Sequence, residues 1–552
     1  MDVGSNPTSS TTYMNNNKFL VTSAFPYSNG PIHLGHILEN IQADIWVRYK
    51  KMNKENIYFI CSDDSHGTPI MLKSKKLKIN TLYYIKKMYF NHKNNFKKFS
   101  IDHDNYYLTH SSENKRVISN IFNILKNKNL IIEKKINQLF DDNNKIFLPD
   151  RFIIGSCPKC LTKNQYGDLC EYCGYKYNCI DLINPKSIIS NSNLIIKETN
   201  HLFFNLPVFK NNLIFWINSI NLQKSVLNKI HNCIDLGLNM WDISRDYPYF
   251  GFKIPNYNNK FFYVWIDALV GYISTFNNLY KFNNNIIENY WSINSNSKIY
   301  QFIGKDIIYF HLLLWPSILE GINFKKPDKI IVHGHLKING NKMSKSNNNF
   351  ISVEKYLEYL DSDLLRYYFS SKLSNNIEDI NFDITNFVNK INSDIINKIL
   401  NLASRNFKIL ETNFNSVLSN KIDDNIYNYF ISKSNIIFNL YEKFEFNKII
   451  NNIIKLSNLA NKYISDNKPW DFIINKKKKS HIICSTGLNL FKIIITYLKP
   501  IIPKISSYSE ELLGIKLNLY NLDKPIKSFH RINKFILKFK KININYVNKI
   551  FN

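Results

Sequence analysis

Acidic side chains are in short supply in this chain. Its 552 residues carry 43 Asp and Glu against 72 Lys and Arg, a formal charge of +29. An excess of that size points to a polyanionic partner such as nucleic acid. The abundance of Lys, Asn and Ile also fits an AT-rich genome, so the charge has two sources. No run of about 18 apolar residues occurs, so no membrane-spanning helix is expected. No secretory leader pattern is present either. Eight cysteines are too few for a secreted disulfide framework, and four of them stand at metal-site spacing. The cytoplasm is the expected compartment. Apolar residues, by contrast, are plentiful. At 44% hydrophobic content the chain has enough for two to four domains with cores of their own.

The segment around which the rest is organised runs from Thr22 to His36. Phe19 to Val21 reads as a strand, Asn29-Gly30-Pro31 as a turn, and Ile37, Ile41 and Ile45 as one helix face. His33 and His36 therefore sit at a strand-to-helix junction. Three residues apart, they point to one side. Gly35 between them leaves room for a flat ligand to approach the backbone, and the helix start supplies free N–H groups and partial positive charge. A bare His-x-Gly-His would more often be two surface histidines. Here Lys342-Met343-Ser344-Lys345-Ser346 answers it far downstream. Two lysines in a turn-rich loop can close over a triphosphate and stabilise charge developing on pyrophosphate.

Further candidates follow in chain order. Met1 to Tyr13 is polar and joins no strand pattern, and residues 1–17 are read as a disordered extension. Gly4-Ser5-Asn6-Pro7 is what GGT-TCG-AAT-CC encodes, a sequence common in the T-arm of tRNA genes, so Met14 is a candidate start. Ile57 to Cys61 is a second strand ending in Asp63-Asp64-Ser65-His66-Gly67-Thr68-Pro69. Acidic groups past a strand's carboxyl end lie where open α/β sheets bind ligands, so Asp64 is placed to hold an amine; a helix cap is the competing reading. Cys157-Pro158-Lys159-Cys160 and Cys170-Glu171-Tyr172-Cys173 form two knuckles suited to one tetrahedral, structural Zn²⁺. Cys179 lies outside that spacing.

Phe261 to Ala268 reads as a buried strand. Trp265 and Tyr272 are large enough to wall a small apolar pocket, although core aromatics are the commoner case. Tyr300 to Ile303 reads as another strand, followed by Gly304-Lys305-Asp306 and a helix with Tyr309, His311 and Trp315. His311 is either a pocket residue or a satisfied core histidine. Lys329 to His333 is the last strand. From about Ala403 onward glycine nearly vanishes and helical period dominates; Phe387, Ile391, Ile395 and Ile399 mark one helix face. Asn401 and Arg405 project together. Trp470, after Asn467-Lys468-Pro469, is either a base-stacking residue or a core aromatic.

Taken together, Ala24-Phe25-Pro26-Tyr27, His33-Leu34-Gly35-His36, Asp63 to Thr68, the paired knuckles, Trp241-Asp242-Ile243-Ser244-Arg245, Gly304-Lys305-Asp306 and Lys342 to Ser346 closely resemble the bacterial methionyl-tRNA synthetase family of class I aminoacyl-tRNA synthetases. The likeness runs in order from about Lys18 to Pro500. It implies an α/β fold: a Rossmann-like parallel sheet in two halves (18–129 and 241–337), split by a zinc-knuckle connective insertion (130–240). A loop and stem-contact region (338–400) and an all-α anticodon-binding bundle (401–552) follow.

The resemblance also implies roles. His33, His36, Lys342 and Lys345 would be catalytic; His33, Gly35, His36, Arg245 and Lys345 would bind ATP with Mg²⁺. Phe25, Tyr27, Asp64, Trp265, Ala268, Tyr272, Ile307 and His311 would hold methionine. Cys157, Cys160, Cys170 and Cys173 would bind zinc, and Asn401, Arg405 and Trp470 would read the anticodon of methionine tRNAs. Phe25 and Leu269 stand where the family usually has Leu and Pro, and Asn347 where it often has Arg, which predicts slower loop closure. The insertion is too short for a large editing domain, so rejection of homocysteine is expected to be imperfect. No dimerising C-terminal domain follows the bundle, so a monomer is expected. The rival reading is a non-catalytic tRNA-binding paralogue; intact His33, His36, Lys342 and Lys345 argue against it.

Overall fold

Parallel strands need burial on both faces, and β1 (Lys18–Ser23) has it: all but its first residue are buried. In the computed structural model, which describes residues 18–167, 169–175, 177–281, 284–338, 340–342, 351–536 and 538–551, five parallel strands build the central sheet. After β1, α1 (Leu34–Met52) crosses back to β2 (Asn56–Asp63), and α2 (Thr81–Lys98) leads to β3 (Asn105–Leu108). The sheet resumes much later with β4 (Lys298–Gly304) and β5 (Lys329–His333). The order is β5-β4-β1-β2-β3, with Val21 opposite Phe59 on one side and Tyr300 on the other. Strand order therefore reverses between β1 and β4, and their carboxyl ends open the crevice where such sheets take ligands.

Between β3 and β4 lies the insertion. A long antiparallel pair, Ile131–Asp141 with Ile195–Phe204, carries it, in register from Ile131 opposite Phe204 to Phe140 opposite Ile195. Beyond that pair a small sheet of Ile153–Ser156, Gln165–Tyr166 and Ile183–Ser187 frames the cysteine knuckles.

One sequence expectation is corrected here. The apolar run from Phe261 to Ala268 is not a strand: only Lys260–Phe262 is extended, and α3 (Val264–Leu279) begins two residues later. Every residue of α3 from Ile266 to Asn277 is buried, polar ones included, so no exposed polar face sets off a 3.6-residue apolar stripe. A short apolar run cannot by itself separate a buried strand from a buried helix.

The core on one face of the sheet runs on into the helical bundle. α4 (Ser362–Ser370) is followed by one helical run from Ile384 through a π segment, Asn392–Leu400, into α5 (Asn401–Phe414). Phe387, Ile391, Ile395 and Ile399 are all fully buried on it, as their spacing predicts. α6 (Phe446–Asn467) and α7 (Lys477–Leu498) complete the centre of the bundle. α7 is long and apolar enough by composition to cross a bilayer, which the absence of an uninterrupted apolar run had not predicted; it is buried in the bundle along almost its whole length. Gly487 on α7 is where Asn406 of α5 packs, and a Cβ there would come within 2.6 Å of the Asn406 amide. Arg366 of α4 is fully buried where α1 meets the bundle. Its guanidinium donates to Asp44 of α1 at 2.7 Å and to the Pro500 and Ile501 carbonyls at 2.9 and 2.8 Å.

Candidate active site and metal centre

His33 caps α1. Its Nδ1 accepts from the Gly35 N–H at 3.1 Å, and its own N–H donates to His36 Nδ1 at 3.3 Å, so the two imidazoles lock each other in place. Their rings stack at 3.9 Å between centroids. With Gly35 they line a cavity of about 340 Å³ whose far side is Gly304, Asp306, His333 and His335. Glu39, one turn further along α1, closes the back. Burial raises its carboxyl pKa, and His333 Nε2 lies 3.3 Å from it. Glu39 and His333 were not singled out in the sequence; only the fold brings α1 beside the end of β5.

A second cavity, about 420 Å³, adjoins the first, and both are walled by Ala24, Phe25 and Ile307. Tyr27, Asp64, Trp265, Ala268, Tyr272 and His311 line it, so all eight predicted pocket residues meet there. Trp265, Ala268 and Tyr272 come from one face of α3, at spacings of three and four, a signal visible in the sequence once the segment is read as helix. Phe25 lies against Tyr272 at 4.6 Å between centroids. It has room because Gly271 has no side chain: a Cβ there would sit 2.7 Å from the Phe25 ring. Tyr272 Oη and His311 Nε2 are 2.8 Å apart, and His311 Nδ1 lies 3.0 Å from the Ile307 carbonyl. Burial holds His311 down at about 4 and so neutral. It therefore donates from Nδ1 to Ile307 and accepts from the Tyr272 hydroxyl. His311 is thus both pocket lining and satisfied core.

Asp64 points into this cavity rather than capping a helix; Gly67 occupies the N-cap of Thr68–Lys76. Burial, and next the nearby Asp267, push the Asp64 carboxyl well above the usual range. A buried carboxyl in that state is stabilised as an anion only by an arriving cation. Asp63 turns the other way and takes His92 Nδ1 at 2.8 Å, while His92 Nε2 reaches the Gly30 carbonyl at 2.9 Å. Arg245 lines this second cavity and not the first. It bonds Asp242 at 3.0 Å and lies 3.8 Å over the Tyr263 ring. His201 spans Asp242 and Asp246 at 2.8 and 2.9 Å, pinning the Arg245 strand to the insertion. Pro149 and Asp150, also from the insertion, reach the same cavity.

The four knuckle cysteines bring their sulfurs within 4.8 Å of one another. Cys157 and Cys173 are 3.8 Å apart, Cys160 and Cys170 3.6 Å. Four thiolates at about 2.3 Å from a tetrahedral Zn²⁺ stand about 3.8 Å apart. Backbone N–H groups of Lys159 and Cys160 donate to Cys157 Sγ, and that of Cys173 to Cys170 Sγ, as a metal-loaded knuckle requires. The donor set fits. Cys179 lies apart, its thiol pushed up to about 12 by burial.

Of the loop lysines, Lys342 is placed by its backbone, which pairs with Lys337. Lys345 and Asn347, within 343–350, lie outside the described residues. In the bundle, the Arg405 guanidinium sits 5.1 Å over the Trp470 ring, and Trp470 is 42% exposed, so it is not a core aromatic. Asn401 is exposed one turn before Arg405.

A parallel sheet with a histidine-capped helix at its switch point, an adjoining aromatic pocket and a trailing helical bundle define the class I aminoacyl-tRNA synthetases. Residues 19–407 match the family "tRNA synthetases class I (M)", and residues 423–545 the "Anticodon-binding domain of tRNA ligase". The chain belongs to the class I (M) family, that of the methionine–tRNA ligases. It is 50% identical over 545 residues to the methionine–tRNA ligase of Blochmanniella floridana, covering 98% of this chain and 100% of that one. To that of Buchnera aphidicola subsp. Baizongia pistaciae it is 51% identical over 522 residues, 94% and 96% of the two chains. Its fold matches Mycobacterium tuberculosis methionyl-tRNA synthetase in complex with methionyl-adenylate, with a TM-score of 0.78 at 19% identity over 94% of this chain and 98% of that one.

Proposed function

We propose that this protein is a methionine–tRNA ligase. It joins the methionine carboxylate to the α-phosphorus of ATP, releasing pyrophosphate, then passes the methionyl group to the 3′ end of initiator and elongator methionine tRNAs. The observation that carries this reading is the junction of the two cavities at Ala24, Phe25 and Ile307. An amino acid in one and a nucleotide in the other meet with carboxylate and α-phosphate adjacent, so much of the rate comes from positioning.

Each residue then has a part. Asp64 takes the ammonium. Phe25, Tyr27, Trp265, Ala268, Tyr272, Ile307 and His311 surround the side chain, and aromatic walls suit a polarizable thioether. His33 and His36, locked against each other at the positive start of α1, face the phosphates. Arg245 orients the adenylate. Lys342 and Lys345 meet charge developing on the leaving pyrophosphate, which Mg²⁺ shares when it arrives with ATP. Cys157, Cys160, Cys170 and Cys173 hold a structural Zn²⁺ with no open position, so it takes no part in the reaction. Asn401, Arg405 and Trp470 read unstacked anticodon bases. The protein works as a monomer in the cytoplasm.

Amino-acid-dependent ATP–pyrophosphate exchange across all twenty amino acids tests this. Exchange with methionine alone is expected. Exchange with a different amino acid would overturn the pocket assignment, and none at all in zinc-replete protein would favour a non-catalytic tRNA-binding role.

A further inference from the structure

Behind the ammonium site lies a chain of groups with no part in the scheme above. Asp267, in the first turn of α3, is fully buried. Its Oδ2 lies 2.5 Å from His66 Nδ1, and His66 Nε2 lies 2.8 Å from His110 Nδ1. His66 is fully buried; His110, in the loop after β3, is half-buried and meets solvent. Phe250 and Phe252 stack beside the His110 ring at 5.2 and 5.4 Å, holding it in line. The free oxygen of Asp267, Oδ1, and Oδ1 of Asp64 are both buried with no hydrogen-bond partner among the described residues. Asp64 lines the cavity where the ammonium is to arrive; Asp267 lies behind it against His66, near enough for the two carboxyls to repel.

From this geometry we propose that methionine binding expels a proton from the Asp64–Asp267 carboxyl pair, and that His66 and His110 conduct it to solvent. This rests on the reading of Asp64 as the ammonium site. In the empty site Asp267 carries the proton and donates it to His66 Nδ1; His66 donates from Nε2 to His110 Nδ1. When the ammonium arrives, the Asp267 proton passes to His66 Nδ1, the His66 Nε2 proton passes to His110 Nδ1, and the His110 Nε2 proton leaves to water. Both histidines end neutral with reversed tautomers, both carboxylates end ionised against the ammonium, and no heavy atom need move.

The surrounding charges agree. Burial raises Asp267 well above the carboxylate range, holds His66 at about 3, and holds His110 at about 4, where His66, Lys115 and Lys86 press the same way. Asp64 faces Asp267 and Asp63; Tyr249 and Tyr27 border the pair as neutral phenols, their pKa values raised by burial. The empty site thus holds its proton at neutral pH and yields it only to a cation.

Calorimetric titration with methionine alone, at pH 7 in buffers of different ionisation enthalpy, measures the protons released. At least one per methionine is expected, with affinity rising at least about tenfold per pH unit. Asp267→Asn is expected to bind methionine and release about one proton fewer than the wild type; were the amine itself deprotonating, that variant would release as many. His110→Phe keeps the aromatic stack and is expected to release the same number of protons more slowly in stopped flow with a pH indicator, with imidazole restoring the rate. Binding heat independent of buffer in the wild type overturns this inference alone, as does undiminished release from Asp267→Asn or an unchanged rate in His110→Phe. No binding heat at all overturns the assignment of the methionine site and this inference with it.

Discussion

A single histidine joins the two loops that shape the site. His92 uses both ring nitrogens as donors, to Asp63 past the end of β2 and to the Gly30 carbonyl just before α1. Burial works against its charge, but the Asp63 carboxylate and the Gly30 carbonyl more than offset it, and its pKa is raised. A raised folded pKa sets the sign: the contribution is complete below the unfolded value of about 6.5 and is lost as pH rises through the folded value. His92→Gln leaves a buried carboxylate without its cation and is expected to cost about 3–5 kcal/mol at acid pH. Denaturant unfolding of both proteins across pH checks this; the gap should be widest near pH 6 and narrow toward alkaline pH. Neither His92 nor the Asp267–His66–His110 chain stood out in the sequence, because each depends on residues far apart in the chain meeting only after folding. Asp64 did stand out, because its place past a strand end is a local fact.

At the scale of elements, α3 decides the shape of the amino-acid pocket. Phe25 fits against Tyr272 only because Gly271 leaves its space open. Gly271→Ala is expected to push the Phe25 ring into the cavity at a strain of about 1–3 kcal/mol, raising the methionine KM in pyrophosphate exchange by about 5- to 150-fold. The knuckle is a second element whose form depends on few residues. Cys160 and Cys170 face each other at 3.6 Å in a segment whose core has, among the described residues, five buried apolar side chains, so the metal is expected to supply much of its stability. Zinc analysis should find one ion per chain, and Cys160→Ser should lose it together with thermal stability. The knuckle spacing was legible in the sequence because metal geometry imposes it. The helical nature of Val264–Leu279 was not, because burial of every residue from Ile266 to Asn277 erased its stripe.

For the molecule as a whole, the bundle and one face of the sheet share a continuous apolar core, with Arg366 buried in it between Asp44 and the turn after α7. Asp44 is on α1, the helix that His33 caps, so the bundle is joined directly to the helix that carries the two histidines. At the far end of the bundle, Arg405 over Trp470 offers a cation and an exposed ring side by side. Stacking of one unpaired base on such a ring is worth about 1–3 kcal/mol. Trp470→Ala is therefore expected to lower kcat/KM for methionine tRNA about 5- to 150-fold in aminoacylation assays.

The sequence by itself determined four of the five parallel strands, the strand-to-helix junction that carries His33 and His36, the spacing of the four knuckle cysteines and the order of the motifs; the strand Asn105–Leu108 did not stand out. Each of the legible features is written in local chemistry: a change of hydrophobic period, a turn, or a fixed ligand spacing. Only the tertiary structure decided that the two cavities share a wall, that Phe25 fits because of Gly271, and that Glu39 and His333 close the cavity beside His33 and His36. It alone lined up Asp267, His66 and His110. Such contacts join residues tens to hundreds of positions apart, and their chemistry comes from burial, which no stretch of sequence carries on its own.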